Sequence, residues 1–168
     1  GPIESFLPSI RRLIKSGYTV LVVGDRNIDN KYIKEFNYRL ICPEFLQVDA
    51  NQFMLLAATE ADIFIGNSGG GMTLPTANEI PTLIIDAFPY GIGVTNATVY
   101  FKNLKNNNNG ELVHYTKLFS QYPYDYNIKE NRICNNTPQE IESAVKSFLE
   151  DLSNPESNIK HQKSMYSL

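Results

Sequence analysis

The sequence predicts an α/β fold: a parallel sheet of about four or five strands, with helices on both faces, three layers in all. Two observations predict it. Segments with helical spacing alternate with short apolar runs along the chain. Those runs are continuously apolar and β-branched, as strands covered on both faces must be, and polar or glycine-rich turns stand at their carboxyl ends.

Taken in order, Ile3 to Ser16 carries apolar residues at Ile3, Phe6, Leu7, Ile10, Leu13 and Ile14, a helix with one buried face, and Gly17 is placed to stop it. Tyr18 to Gly24 is a buried strand, with Asp25-Arg26-Asn27 opening a polar loop beyond it. Asp29 to Phe36 reads as a short helix and Arg39 to Cys42 as a second strand, closed by Pro43. Asp49 then caps a helix running to Glu60; Gln52 completes a capping-box spacing, and Val48 and Phe53 are placed as a hydrophobic staple. Ile63 to Gly66 and Thr82 to Asp86 are strands on either side of a glycine turn. Between residues 87 and 130 the pattern is weak: Phe88 to Gly91 reads as a loop, Asn103 to Gly110 as a polar surface segment and Val113 to Phe119 as a short helix. Thr137-Pro138-Gln139-Glu140 starts the last helix with a threonine cap, proline in the first turn and the reciprocal glutamate. Ile141, Ala144, Val145, Phe148, Leu149 and Leu152 form its apolar face. Residues 1–153 are thus one domain, and 154–168 are expected to be a poorly ordered tail.

Whole-chain properties exclude several functions. The 168 residues carry 15 Lys and Arg against 18 Asp and Glu, a net charge of −3 that leaves no electrostatic footprint for nucleic acid. No apolar run approaches the roughly 18 residues needed to cross a bilayer, and the start lacks the pattern of a signal peptide, so a cytoplasmic location is expected. Cys42 and Cys134 are widely separated, with His114 and His161 the only imidazoles. Two buried thiols are expected, and no metal site. Asn96-Ala97-Thr98 and Asn135-Asn136-Thr137 match the glycosylation sequon, as chance provides in a chain rich in asparagine. The chain begins Gly1-Pro2 and is expected to be part of a longer protein.

Chemistry is concentrated in Asn67-Ser68-Gly69-Gly70-Gly71-Met72-Thr73, between the third strand and a short helix containing Pro75. Three glycines remove side chains where the chain turns and where a group can approach the backbone. The unpaired N–H groups of the helix start, with the hydroxyls of Ser68 and Thr73, would suit a phosphate. A plain strand-to-helix turn is the alternative, but one glycine suffices for that. The segment is neither a Walker loop, since no Lys-Ser/Thr follows, nor a Gly-x-Gly-x-x-Gly fingerprint. Gly24, Asp25 and Arg26 end another strand and could share the same crevice, Arg26 with the geometry for a diphosphate. Asp86 could accept a ribose or sugar hydroxyl, or simply form a turn. No catalytic base is apparent and no cofactor is implied.

Ala61-Asp62-Ile63-Phe64-Ile65-Gly66-Asn67-Ser68-Gly69, then a helix, then Ile80-Pro81-Thr82-Leu83, resembles the nucleotide-sugar site of GT-B glycosyltransferases, notably bacterial heptosyltransferases and a group of surface-glycan glycosyltransferases. Gly71 and Met72 depart from the heptosyltransferase pattern. The resemblance implies a three-layer Rossmann-like domain forming the C-terminal half of a longer enzyme. It implies that Asn67, Ser68, Gly69 and the following backbone hold the diphosphate of a nucleotide-sugar. A first domain of the same protein would be the partner, the isolated chain would be inactive, and it could dimerise through its uncovered domain interface. No Asp-x-Asp metal motif is present. A nucleotide-sugar epimerase-like domain, or a noncatalytic module binding a phosphorylated ligand or a protein, are the alternatives.

Overall fold

The computed structural model describes residues 2–24, 28–89, 94, 96–114 and 130–154. It is an α/β structure with two parallel sheets and one antiparallel pair among those residues. After a 3₁₀ turn at Ile3–Phe6, helix α1 spans Leu7–Lys15. It ends as the sequence predicts: Gly17 has φ +99°, its N–H donates to Ile14 O at 3.1 Å, and Tyr18 N–H donates to Leu13 O at 3.0 Å. This paired arrangement is the Schellman stop, and it needs the left-handed residue that glycine supplies.

Strand β1 is Val20–Leu21, parallel to β2, Leu40–Ile41, with helix α2, Asn30–Glu35, between them. The predicted Tyr18–Gly24 strand is therefore shorter in its ladder, although Val22 N–H still reaches Ile41 O at 2.8 Å. Nor is it covered on both faces: Thr19 and Leu21 are exposed while Val20 and Val22 are half-buried. Pro43 does not merely close β2. It starts a one-turn helix α3, Pro43–Leu46, which Gln47 ends at φ +54°.

Helix α4, Ala50–Glu60, begins where predicted, with the Asp49 carboxylate accepting from Asn51 N and Gln52 N at 3.0 Å each. Val48 stays exposed while Phe53 is buried, so this cap rests on Asp49 and not on a staple.

The sheet that matters most runs β3–β4–β5, all parallel: Phe64–Asn67, Thr82–Ala87 and Ala97–Phe101. All six residues of central β4 are buried: Leu83, Ile84, Ile85 and Ala87 are apolar, and Thr82 and Asp86 are hydrogen-bonded. Strand β5 and the antiparallel pair β6 (Asn103–Asn106) and β7 (Asn131–Cys134) lie where the sequence pattern predicted no strand. The Val113–Phe119 helix falls largely outside the described residues, as do Asp25, Arg26 and the tail beyond Asn154.

Helix α6, Pro138–Ser153, carries the predicted capping box in full. It buries Ile141, Ala144, Val145 and Phe148 in one cluster with Leu13 of α1 and Leu83 and Ile85 of β4. Ile10, one turn away on α1, belongs to a second cluster with Ile28, Tyr32, Ile33, Phe36, Leu40 and Cys42. Each fully buried aliphatic side chain contributes about 1.5–3 kcal/mol relative to exposure, so α1 joins two substantial apolar units. Arg12 reinforces the α1–α6 contact through Glu142 at 2.8 Å.

Candidate functional site

Strand β3 delivers Asn67 to the carboxyl edge of the parallel sheet, beside Ile85 of β4. Beyond it, Ser68 and Gly69 lead to a 3₁₀ turn at Gly70–Met72 and then helix α5, Thr73–Ala77. Met72 N–H donates to Gly69 O at 3.3 Å, and Thr76 Oγ1 donates to Met72 O at 2.8 Å and to Thr73 O at 3.0 Å. Pro75 is buried in the first α-helical turn, as its lack of an N–H favours. Five residues of α-helix make a weak dipole, so any anion here would be held by individual N–H groups and hydroxyls rather than by the helix as a whole.

The glycines divide into two kinds. A Cβ on Gly66 would stand 2.9 Å from the Phe64 ring, so packing accounts for that residue. A Cβ on Gly69, Gly70 or Gly71 would meet nothing within 4 Å among the described residues. None of these three has φ in the left-handed region; Gly69 lies at 172°, which is extended backbone. Neither conformation nor internal packing therefore demands three glycines in the turn. All three are exposed, and Gly70 and Gly71 stand at the start of the turn, where no earlier residue of the helix can accept from their N–H groups.

The other predicted site residues fall differently. Asn67 is not simply presented outward: its Nδ2 donates to Ile85 O at 3.2 Å, which anchors the entrance of the turn to β4. Ser68 is half-buried and Thr73 exposed at the turn. Gly24 has φ +121°, which by itself explains glycine there; Asp25 and Arg26 are outside the described residues. Asp86 is no surface turn residue. It is 6% exposed, lies at φ +55° where the β4–β5 register shifts, and its Oδ1 accepts from Asn136 N and Asn136 Nδ2, both at 2.7 Å.

That last contact belongs to a polar network that sequence reasoning missed. Asn136 Nδ2 also donates to Phe101 O at 3.0 Å, and Asn103 Nδ2 donates to Asn136 Oδ1 and Glu140 Oε1, each at 3.2 Å. Glu140 Oε2 in turn accepts from Thr137 N at 2.7 Å. The Thr137 backbone N–H holds the Glu140 carboxyl below its ordinary range. The amino end of α6 is thus occupied by its own acid and is not a second open anion site. The signal was present in Asn135-Asn136-Thr137, where an asparagine run directly precedes a helix cap.

An open hollow of about 650 Å³ lies elsewhere, between Arg12, Lys146, Glu150 and Asn154, at the opposite end of α6 from Thr137. Its two cations already have partners, Arg12 with Glu142 and Lys146 with Glu150, so it offers no unpaired cation to an anionic ligand. Among the described residues no group of His, Cys, Asp and Glu is placed to hold a metal, and no helix is long and apolar enough to cross a membrane. Comparison of the chain with protein-family models, curated proteins and solved structures finds no match.

Proposed function

We propose that this chain is the Rossmann-like, donor-binding domain of a GT-B-like glycosyltransferase, and that its glycine turn receives the diphosphate of a nucleotide-sugar. One observation carries the reading: three consecutive exposed glycines that neither φ nor packing requires, at the carboxyl edge of a parallel sheet. Ligands of open α/β sheets bind beyond the carboxyl ends of the strands, and a bare backbone lets phosphate oxygens reach several N–H groups. The motif resemblance across Ala61 to Leu83 supports the donor class. Val20 of β1 packs against the same cluster as Ile65 and Leu83, which supports one layered arrangement for the two parallel sheets.

In this reading, sugar transfer makes the nucleoside diphosphate a leaving group that gains negative charge. N–H donors already aimed at that position stabilise the charge in the transition state more than in the ground state. A first domain supplies the acceptor site and the base, so the chain alone binds nucleotide weakly and turns nothing over. Exposed Phe45, Leu46, Leu55, Leu56 and Leu74 on α3, α4 and α5 support a partner domain on that side.

The test is a titration of isotopically labelled chain with UDP, GDP and ADP, with CMP as control. Shifts at residues 67–73 for one diphosphate are expected; none at millimolar ligand overturns the reading. Gly70→Ala sharpens it, because an added methyl meets no described atom. It should leave stability unchanged or raise it by up to about 1 kcal/mol, while weakening diphosphate binding on the order of tenfold. Equal binding by the variant would show that the turn is only a turn.

A further inference from the structure

We propose that helices α3, α4 and α5 form a docking face for a basic amphipathic helix, and that the partner domain inferred above seats that helix there. This deepens the reading above by giving the partner's chemistry; only the identity of the occupant rests on that reading. Helix α4 buries Phe53, Ala57 and Ala58 and leaves Gln52, Leu55, Leu56, Thr59 and Glu60 exposed. Those exposed positions follow the i, i+3, i+4, i+7 spacing of a single stripe, which a helix facing water normally fills with polar and charged residues. Here Leu55 and Leu56 stand at its centre, 54% and 56% exposed, and Glu60 is the only charged residue of the helix. Helix α4 packs against both α3 and α5, and Asn78 Nδ2, at the end of α5, donates to Ala58 O at 2.9 Å. Exposed Phe45 and Leu46 of α3 and Leu74 of α5 thus stand on helices in contact with α4, and the Tyr38 ring lies 5.7 Å from that of Phe45.

Charge selects the occupant. No Lys, Arg or His occurs from residue 40 to 101, whereas Glu44, Asp49, Glu60, Asp62, Glu79 and Asp86 do. Asp49 caps α4 and Asp86 is buried against Asn136. Glu44, Glu60, Asp62 and Glu79 remain, all exposed and none in an ion pair among the described residues. Glu60 and Asp62 stand at the carboxyl end of α4, and Glu79 follows the asparagine bonded to its last turn. The helix dipole disfavours negative charge there, and no basic residue of that turn offsets it. Lys or Arg brought by a partner relieves the repulsion while the partner's apolar side chains cover the leucines. A second copy of this chain would set the same acids against one another, and an anionic lipid surface would be repelled. The glycine turn runs directly into α5, where exposed Leu74 follows Thr73, so a domain seated on this face also borders the candidate diphosphate site. That continuity identifies the occupant as the partner domain.

The probe is a Leu/Lys peptide of about 18 residues, long enough to be helical, with its leucines spaced to form one apolar face. Amide shifts of the isotopically labelled chain follow its binding. Shifts in α3, α4 and α5 and a Kd in the micromolar range are expected. The same peptide with Glu for Lys, and a scrambled one without an apolar face, should bind about tenfold more weakly or not at all. On the protein, Leu55→Ser combined with Leu56→Ser should weaken binding on the order of tenfold, and Glu60→Lys combined with Asp62→Lys should do the same. Thermal unfolding should not fall in either variant, because all four side chains are exposed. Binding that ignores both variants, or equal binding of the acidic peptide, overturns the proposal. So does self-association in sedimentation that the serine substitutions abolish, or binding of the chain to phosphatidylglycerol vesicles. The diphosphate titration fails or succeeds separately. Diphosphate shifts without peptide binding sink the docking face alone. Peptide binding without diphosphate shifts sinks the donor reading and the assignment to its partner domain, and leaves the basic-helix face standing.

Discussion

Single residues in this chain show how local chemistry decides between structural and functional roles. Gly66 and Gly70 are the same residue type four positions apart, yet a methyl on one strikes an aromatic ring and a methyl on the other enters open space. Ser9 presents a simpler case. The residue is 2% exposed and its buried hydroxyl has no partner among the described residues, so it bears a desolvation cost with no compensating bond. Ser9→Ala should raise stability by roughly 0.5–2 kcal/mol, since alanine also favours the helix. Urea denaturation checks this, and a loss of stability would reveal a partner for the hydroxyl.

At the scale of elements, ends were easier to read than partners. Asp49, Thr137 and Glu140 announce α4 and α6 because a cap involves only residues within one turn. Strand β4 was legible because burial on both faces favours the apolar run Leu83-Ile84-Ile85 at its centre. Strands β6 and β7 were not, because each is stabilised by the other across a sequence gap, and Asn103 looks like surface until Asn136 and Glu140 are seen to take its amide. The glycine turn was legible in composition, while the anchoring of Asn67 to Ile85 depends on strand pairing that composition does not contain. The α6 cap also gives stability a pH dependence. The Glu140 carboxyl is held below its ordinary value of 4.5, so its stabilising contribution is complete above that value and is lost as pH falls through the lower folded value. Glu140→Gln should cost about 1 kcal/mol at neutral pH and flatten this acid-side loss, because the carboxylate that accepts from the Thr137 backbone N–H is gone. Unfolding curves across the acid range would show it, and a parallel slope in the variant would count against the cap.

The molecule as a whole is organised around α1, whose Ile10 and Leu13 enter different apolar clusters. Neither cluster can come apart without disturbing that helix. Ile10→Ala and Leu13→Ala should each cost about 2–4 kcal/mol, and each should lower one common transition. Far-UV circular dichroism and tyrosine fluorescence, to which Tyr32 in one cluster and Tyr18 against the other contribute, should therefore give coincident curves. Separate transitions would divide the chain into independent units.

The pairing of Arg12 with Glu142, 130 positions apart, also sets an order of events during synthesis. Leu13 is translated well before Ile141, Val145 and Phe148, which cover it. At about 5–20 residues per second, the nascent chain carries an uncovered apolar helix for several seconds before its lid arrives. Strands β3, β4 and β5, being near neighbours in sequence, can pair during that wait. Helix α6 then acts as the latch, and the interval before it closes is when these residues of the growing chain are most exposed to chaperones and to misassembly.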